Sequence, residues 1–144
     1  MRTGLTVLGL AAIAVAMYFV PAQAAGPAAK AAVIARGKYL VEDSGQCQDC
    51  HTPRNEKGEF VKEKWMKGGM LIFKPAVPMP VFAEKSSNIA GLPGWTDEQA
   101  VKFFMTGIAF NDLPARPPMP RYRFNRPDAE AIVAYLQSLA PADK

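Results

Sequence analysis

The chain has 144 residues, of which 49% are hydrophobic and 21% charged, with 11 Gly, 13 Pro, 2 Cys and a single His. This length fits one domain with a short extension, and the composition differs from that of disordered, collagen-like or polytopic membrane proteins. The net charge of +4 is small and no run of five like charges occurs, so nucleic acid is not an expected partner. A single His also excludes any metal centre that needs two histidine ligands from one chain.

The N-terminal residues have the pattern of an export signal. Arg2 precedes the apolar stretch 5–20, Pro21 ends it, and Ala22-Gln23-Ala24 is a small-x-small cleavage box. A membrane span usually needs about 20 apolar residues, which is more than this stretch contains. We therefore expect residues 1–24 to be a signal peptide and residues 25–144 to form the domain. An uncleaved membrane anchor is the alternative.

A first helix is predicted over residues 28–43. Its apolar positions recur on or near one stripe, with Gly37 between them, and they are Val33, Ile34, Leu40 and Val41.

Both cysteines and the only histidine fall in one five-residue window, Cys47-Gln48-Asp49-Cys50-His51. Cys-x-x-Cys-His is the attachment site of c-type haem. Two thiols one helical turn apart can each bond one vinyl group of the porphyrin, and the adjacent His then binds the iron through a neutral ring nitrogen. The motif predicts one haem c, attached through Cys47 and Cys50 and ligated by His51. Because such attachment occurs outside the cytoplasm, the exported domain is expected in the periplasm.

Three other interpretations of the cysteines compete with haem. A plain disulfide between Cys47 and Cys50 is possible in an oxidising compartment. A thioredoxin-like redox pair should follow a strand in a βαβ pattern, which is not visible here. A zinc site lacks its remaining ligands. We therefore favour haem.

The remaining elements are a long loop and two capped helices. Residues 52–95 carry many Gly, Pro and Lys with no sustained period, so we expect a loop that packs on a buried haem. Thr96-Asp97-Glu98-Gln99 is a capping box for a helix to about Thr106, with Gly107 as its stop. Asn125 caps the last helix, with Pro127 in its first turn. The apolar positions of these two helices are Val101, Phe104 and Ile108, and then Ile132, Val133, Leu136 and Leu139, with Pro141 as the final stop.

The sixth iron ligand has to be chosen among methionines, a lysine or an open position. Met79 and Met119 both lie between prolines, which hold a loop stiff and non-helical. Met119 is favoured because it lies 68 residues after His51, which leaves enough chain to wrap one haem face. Met79, at 28 residues, is the second choice, and Met105 is expected in the core.

Several motifs together point to a family. They are, in chain order, Arg36-Gly37-Lys38-Tyr39-Leu40, Cys47 to Arg54, Gly68-Gly69, Asn88-Ile89, Gly94-Trp95-Thr96-Asp97-Glu98, Pro118-Met119-Pro120 and Ala134-Tyr135-Leu136. The chain resembles a class I c-type cytochrome, and especially the cytochrome domains associated with bacterial membrane-bound alcohol and aldehyde dehydrogenases. The resemblance covers nearly all of residues 30–140.

The resemblance implies an all-α, small mono-haem fold, with three main helices and long loops around one haem. It also implies His51 and Met119 as axial ligands, and Gly37 and Val41 packed against Tyr135 where the first and last helices cross. Dehydrogenase subunits of this type typically carry three haem motifs, whereas this chain has one, which favours a small carrier. The stretch Gly91-Leu92-Pro93 is also shorter than the usual loop at that point.

The function expected is one-electron transfer rather than enzymatic turnover, because a six-coordinate iron has no open site. A periplasmic electron carrier is the first hypothesis. A cytochrome subunit fixed in a dehydrogenase or oxidase complex is the second, and it would touch the membrane if the leader is retained. A gas sensor with five-coordinate haem is the third. The expected partners are a dehydrogenase, an oxidase or another cytochrome.

Charged and aromatic residues around the site leave two interpretations open. Four arginines lie near Met119, and they are Arg116, Arg121, Arg123 and Arg126. One interpretation is that they bind haem propionates or simply face water. The other is that they form a basic collar that steers the acidic face of a partner toward the haem. Trp65 and Trp95 are either core aromatics or donors to a propionate.

Overall fold

The first helical segment changes its geometry partway along. The structure, a computed structural model, describes residues 26–139. Helix α1 spans Pro27–Lys38, with proline at a first-turn position that needs no N–H donor. The chain continues as a π-helix over Tyr39–Ser44, closed by a hydrogen bond of 2.9 Å from the Gly45 N–H to the Leu40 carbonyl. The predicted helix over 28–43 is therefore present, with a wider turn in its second part.

The predicted apolar stripe of this first helix is only partly present, because the helix widens in its second part. Leu40 and Val41 are buried and Ile34 is partly buried, as expected, but Val33 is 42% exposed. A stripe drawn at 3.6 residues per turn does not continue through a π-helix, which has more residues per turn.

Helix α1 crosses the last helix at very close range. A side chain at Gly37 would place its Cβ 1.9 Å from the Ala131 carbonyl oxygen and 2.7 Å from Cβ of Tyr135. Val41 and Tyr135 belong to the same buried cluster. The glycine therefore lets the two backbones touch, and the crossing expected from the resemblance is present.

Two capped helices follow the long central loop, as predicted. Helix α3, after the one-turn helix α2 at Gln48–His51, spans Asp97–Thr106. It has a complete capping box between Thr96 and Gln99, and it ends at Gly107 in the left-handed conformation with φ of 69°. Helix α4 spans Arg126–Ser138, and the Asn125 side chain accepts a hydrogen bond from the Asp128 N–H.

The central loop contains little regular structure, as expected for residues 52–95. A 3₁₀ turn lies at Lys62–Lys64, and strands β1 (Gly69–Met70) and β2 (Lys85–Ser86) form a short antiparallel ladder that pairs Gly69 with Ser86 and Met70 with Lys85. The core is made by buried side chains of the π-helix, α3, α4 and this loop. Its most completely buried large members are Met66, Ile132, Leu136 and Val41.

Two predictions concern residues that the structure does not describe. The signal peptide predicted at 1–24 and the stop predicted at Pro141 both lie outside residues 26–139. Among the helices of the described part, none combines the length and the apolar character that a membrane crossing requires.

Candidate haem site

The side chains of the two cysteines and the histidine project from one short helical turn. Helix α2 begins after Cys47, and the His51 N–H donates to the Cys47 carbonyl at 2.9 Å. Cys47, Cys50 and His51 thus stand at positions i, i+3 and i+4, which share one face of a helix. The local backbone therefore presents two thiols and one imidazole to the same side.

His51 is held by a carbonyl from a distant part of the chain. Its Nδ1 lies 2.8 Å from the Ser87 carbonyl oxygen, and the residue is only 7% exposed. Because a carbonyl can only accept, Nδ1 carries the ring proton and Nε2 is the nitrogen left for a metal. Burial lowers the pKa of His51, and the bond to Ser87 opposes this. The neutral imidazole that an iron ligand must be is therefore favoured.

The backbone around His51 is fixed by the ladder that follows it. The Gly68 N–H donates to the His51 carbonyl at 2.7 Å, and the Ser86 hydroxyl donates to the Cys50 carbonyl at 2.6 Å. The same hydroxyl accepts from the Gly69 N–H at 3.0 Å. Strands β1 and β2 therefore hold the haem-binding turn on two sides.

The environment of the cysteines differs from that of a redox-active pair. Cys47 and Cys50 form no disulfide, and burial raises the pKa of the Cys47 thiol to about 11. A redox-active Cys-x-x-Cys pair has a lowered thiol pKa. The structure thus gives the thioredoxin-like interpretation no support.

Two adjoining cavities open on this face of α2. Their volumes are about 520 and 200 Å³, and the larger falls in the usual range of cofactor sites. The walls common to both are formed by Gly45, Cys47, His51, Ser87, Phe103, Met119 and Tyr122. The cavity pair combines the two thiols of a covalent attachment with one imidazole and one thioether, so its residues fit a haem c.

The two proline-flanked methionines lie in different surroundings. Met119 lines both cavities, as does His51, whereas Met79 lines neither and is 40% exposed. A turn bond from the Met119 N–H to the Arg116 carbonyl, 3.0 Å long, shapes the loop that carries Met119. Met105 packs against the core, as predicted. Of the two, only Met119 faces the same space as His51.

The residue pattern of the site matches a known family. The cytochrome c family model matches residues 34–140. The chain belongs to the cytochrome c family. It is an electron-transfer domain, and the family implies a covalently bound haem c.

This cytochrome c domain is similar to several dehydrogenase subunits. It is 28% identical to the cytochrome c subunit of a quinone alcohol dehydrogenase from Gluconobacter oxydans, over 74% of this chain and 24% of the subunit. It is 30% identical to the cytochrome c subunit of gluconate 2-dehydrogenase from Pantoea cypripedii, over 77% of this chain and 27% of the subunit. The chain thus spans about a quarter of the length of these relatives. A short match of 34 residues, 56% identical, links it to a diheme cytochrome c-type protein of Cereibacter sphaeroides, over 24% of this chain and 12% of that protein.

Some of the arginines and tryptophans singled out from the sequence line the cavities, and others make contacts elsewhere in the domain. Arg116 lines the larger cavity, whereas Arg126 forms ion pairs with Glu98 and Glu130. Trp95 lines the smaller cavity, and Trp65 instead meets Phe60 edge to face. The sequence left open whether the four arginines form one collar, and the structure separates Arg126 from the cavity because it pairs with Glu98 in the first turn of α3 and with Glu130.

Several residues of the site were not found from the sequence. Ser86 and Ser87 hold the haem-binding turn, and Phe103 and Tyr122 line both cavities. The only sequence signal for the serines was their position directly before the Asn88-Ile89 motif. A backbone carbonyl such as that of Ser87 has no residue-type signature.

Proposed function

We propose that this domain is a periplasmic one-electron carrier, with one haem c attached through Cys47 and Cys50 and with His51 and Met119 as its axial ligands. The observation that carries the proposal is the wall of the larger cavity, where both thiols meet the imidazole and the thioether. When bound, the haem supplies the Fe(III)/Fe(II) couple.

His51 contributes a fixed, neutral nitrogen donor. The bond from Nδ1 to the Ser87 carbonyl orients the ring and makes Nε2 a better donor. Since burial lowers the pKa of His51, protons compete less well for the same nitrogen.

Met119 contributes a soft thioether on a stiff loop. A thioether ligand favours the reduced iron and so raises the potential. Pro118 and Pro120 restrict the backbone on either side of Met119, which limits the movement of the side chain between the two oxidation states. If His51 and Met119 both bound the iron, no coordination site would be left for a substrate.

The periplasmic location rests on the sequence pattern of residues 1–24 and on the chemistry of the attachment, which occurs outside the cytoplasm. If the leader is retained instead, the domain is held at the membrane. Either state leaves residues 26–139 with the same cavity.

The proposed partners are redox proteins such as a dehydrogenase, an oxidase or another cytochrome. The names of the relatives support a dehydrogenase, since two of them are cytochrome c subunits of alcohol and gluconate dehydrogenases. They also favour the second candidate function, that of a fixed subunit in such a complex. An acidic face on the partner would complement Arg116 and Lys85 at the larger cavity.

One set of spectra tests the proposal. Acid acetone should leave the haem on the wild-type chain, because both thiols hold it covalently. Replacing Met119 by Ala should remove the sulfur–iron charge-transfer band, lower the potential and let the reduced protein bind carbon monoxide. Met79→Ala is the matched control and should leave the band in place.

Two outcomes would overturn the proposal. Haem that extracts freely from the wild type excludes covalent attachment. A band that survives in Met119→Ala and vanishes in Met79→Ala makes Met79 the ligand. The mature N-terminus, determined on protein purified from the exporting cell, separates the free carrier from a membrane-held subunit.

A further inference from the structure

An apolar arm projects from the ladder beside the cavity. We define it as residues 70–82, which run from β1 almost to β2. Of the ten large hydrophobic side chains that are exposed within residues 26–139, six belong to this arm. They are Met70, Ile72, Phe73, Val77, Met79 and Val81. An exposed apolar patch of this kind marks an interaction surface.

The arm is an ordered element rather than a loose end. The Ala83 N–H donates to the Pro117 carbonyl at 2.7 Å, and Arg116 donates to the carbonyls of Val81 and Phe82 at 3.1 and 3.2 Å. The rings of Phe73 and Phe82 meet edge to face with centroids 6.1 Å apart. These contacts therefore fix the position of the arm while its apolar side chains remain exposed to solvent.

Prolines shape the arm for binding through side chains. Pro75, Pro78 and Pro80 lack an N–H, so this part of the arm cannot extend the ladder as an edge strand. Its contact with another molecule then depends on apolar surface. Methionine and phenylalanine, which supply much of that surface, are enriched in protein interfaces.

The base of the arm is also part of the cavity wall. Leu71 and Phe73 line the larger cavity together with His51 and Met119, and Lys85 lines it at the start of β2. A molecule seated on the arm is therefore brought to the cavity. An electron carrier needs this proximity to a redox protein, whereas a lipid bilayer accepts no electron.

The charges around the arm describe the partner further. Lys74 is the only charged residue within the arm, and Glu84, Lys85 and Arg116 lie at its base. Asp49 is an acidic residue of the same cavity wall. The surface thus has an apolar centre and a border with charges of both signs, which is the usual anatomy of a protein interface.

We propose that the apolar arm is the docking surface for the redox partner, and that this partner presents an apolar patch whose border carries charges of both signs. The inference rests on the proposed function and names the surface that serves it. Apolar burial lowers the dissociation rate, so docking should depend less on salt than docking through an arginine collar.

Gold electrodes coated with alkanethiols provide a defined surrogate for the partner surface. On a methyl-terminated layer the wild-type holoprotein should give a strong reversible wave, and on a hydroxyl-terminated layer a weak one. Ile72→Ser/Val77→Ser should lower the electroactive population on the methyl layer about tenfold or more, because two exposed apolar side chains are lost.

Val77→Ser and Val33→Ser form a matched pair, since both remove an exposed valine and only Val77 lies in the arm. Val77→Ser should weaken the wave and Val33→Ser should not. The ferric spectrum and circular dichroism of each variant check that it is folded. Equal waves from the wild type and the double variant would overturn the inference.

Two further measurements separate the other outcomes. Sedimentation with phosphatidylcholine vesicles, with and without phosphatidylglycerol, should be the same for the wild type and the double variant. Binding that the double variant loses would overturn the inference in favour of a membrane surface. If the wild type cannot be reversibly oxidised by ferricyanide in solution, the proposed function fails and this inference fails with it. If the wild type is reversibly oxidised but the double variant adsorbs to the methyl layer as well as the wild type does, the inference alone fails.

Discussion

The two walls of the cavity hold their facing side chains in different ways. On the proximal wall, defined as residues 47–52, 66–69 and 86–87, the Ser86 hydroxyl and the Gly68 N–H donate to the carbonyls of Cys50 and His51 at 2.6 and 2.7 Å, which fixes the backbone of the haem-binding turn itself. On the distal wall, defined as residues 113–124, proline-rich chain carries Met119, whose N–H makes a local turn bond to the Arg116 carbonyl. The bonds from this wall to other segments fall on neighbouring residues, such as the 2.7 Å bond from the Ala83 N–H to the Pro117 carbonyl. The Tyr122 hydroxyl reaches the Gly45 carbonyl at 3.4 Å, and the Phe124 N–H reaches the Phe104 carbonyl at 3.2 Å.

This difference suits two different tasks. As the proposed iron ligand, His51 would have to keep one tautomer and orientation, and a short bond to the Ser87 carbonyl provides this. As the other proposed ligand, Met119 has a flexible side chain, so its loop would need only to keep the sulfur within reach of the iron. We therefore expect substitutions on the proximal wall to cost more than matched substitutions on the distal wall.

The largest expected effect comes from preventing covalent attachment of the proposed haem. In Cys47→Ala/Cys50→Ala no thiol could bond the haem, and in the haem-free variant both cavities would be empty. A chain of this size with a long irregular loop cannot then offset its conformational entropy. We expect the haem-free double variant to lose most of its helix signal in circular dichroism. A cooperative melt with native helix content would contradict this.

The next effect compares a glycine of the proximal wall, Gly68, with Gly107, which contacts the distal wall at Arg121 and Arg123. Gly68 and Gly107 both have positive φ, of 77° and 69°. A Cβ at Gly68 would lie 2.6 Å from the Ser86 carbonyl oxygen and 2.7 Å from that of Ser87, which are backbone atoms. A Cβ at Gly107 would lie 2.8 Å from Cβ of Arg121, 3.1 Å from its Cα and 2.8 Å from the Arg123 guanidinium, and of these only the guanidinium is the end of a flexible side chain.

Gly68→Ala should therefore cost about 3 kcal/mol, from left-handed strain and from displacement of the Ser86-Ser87 backbone. Gly107→Ala should cost less, about 2 kcal/mol, because the strain is similar but the added Cβ meets no carbonyl group and one of its neighbours, the Arg123 guanidinium, can move. Urea denaturation of both holoproteins measures the difference. Equal losses would remove the distinction between the walls.

A smaller effect is expected at Ser86. Ser86→Ala leaves the Cys50 carbonyl and the Gly69 N–H without their partner, which should cost about 1 to 2 kcal/mol. The adjacent Ser87 carbonyl is then held less firmly, so His51 becomes a weaker donor and the reduction potential should rise. Ser138→Ala, which removes a local bond at the end of α4, is the control and should leave the potential unchanged.

The smallest effect is expected at Tyr122. Its hydroxyl bond of 3.4 Å is near the limit for a hydrogen bond, so Tyr122→Phe should cost about 0.5 kcal/mol or less. The ring still lines both cavities and packs on Phe124. Thermal melts of Tyr122→Phe and Ser86→Ala, run together, should show the larger shift for Ser86→Ala. The reverse order would mean that the distal wall is the more firmly held.

Features that depend on neighbouring residues could be predicted from the amino-acid pattern. The spacing of Cys47, Cys50 and His51 predicts a shared face because one helical turn spans it, and the structure has that turn. The caps at Thr96 and Asn125 and the left-handed stop at Gly107 are also where the sequence places them. Each of these features needs only a side chain and a backbone group within four residues, so local chemistry is sufficient.

Only the tertiary structure decided the features that join distant parts of the chain. Ser87 lies 36 residues from His51, and its contact is made by a carbonyl that every residue type possesses. Met79 and Met119 have the same local context, and the way the loops pack puts only Met119 in the cavity wall. The exposure of the arm could not be predicted either, because an apolar segment such as 70–82 is normally buried. In each case the outcome depends on which surfaces meet after folding, and the residue pattern alone does not specify that.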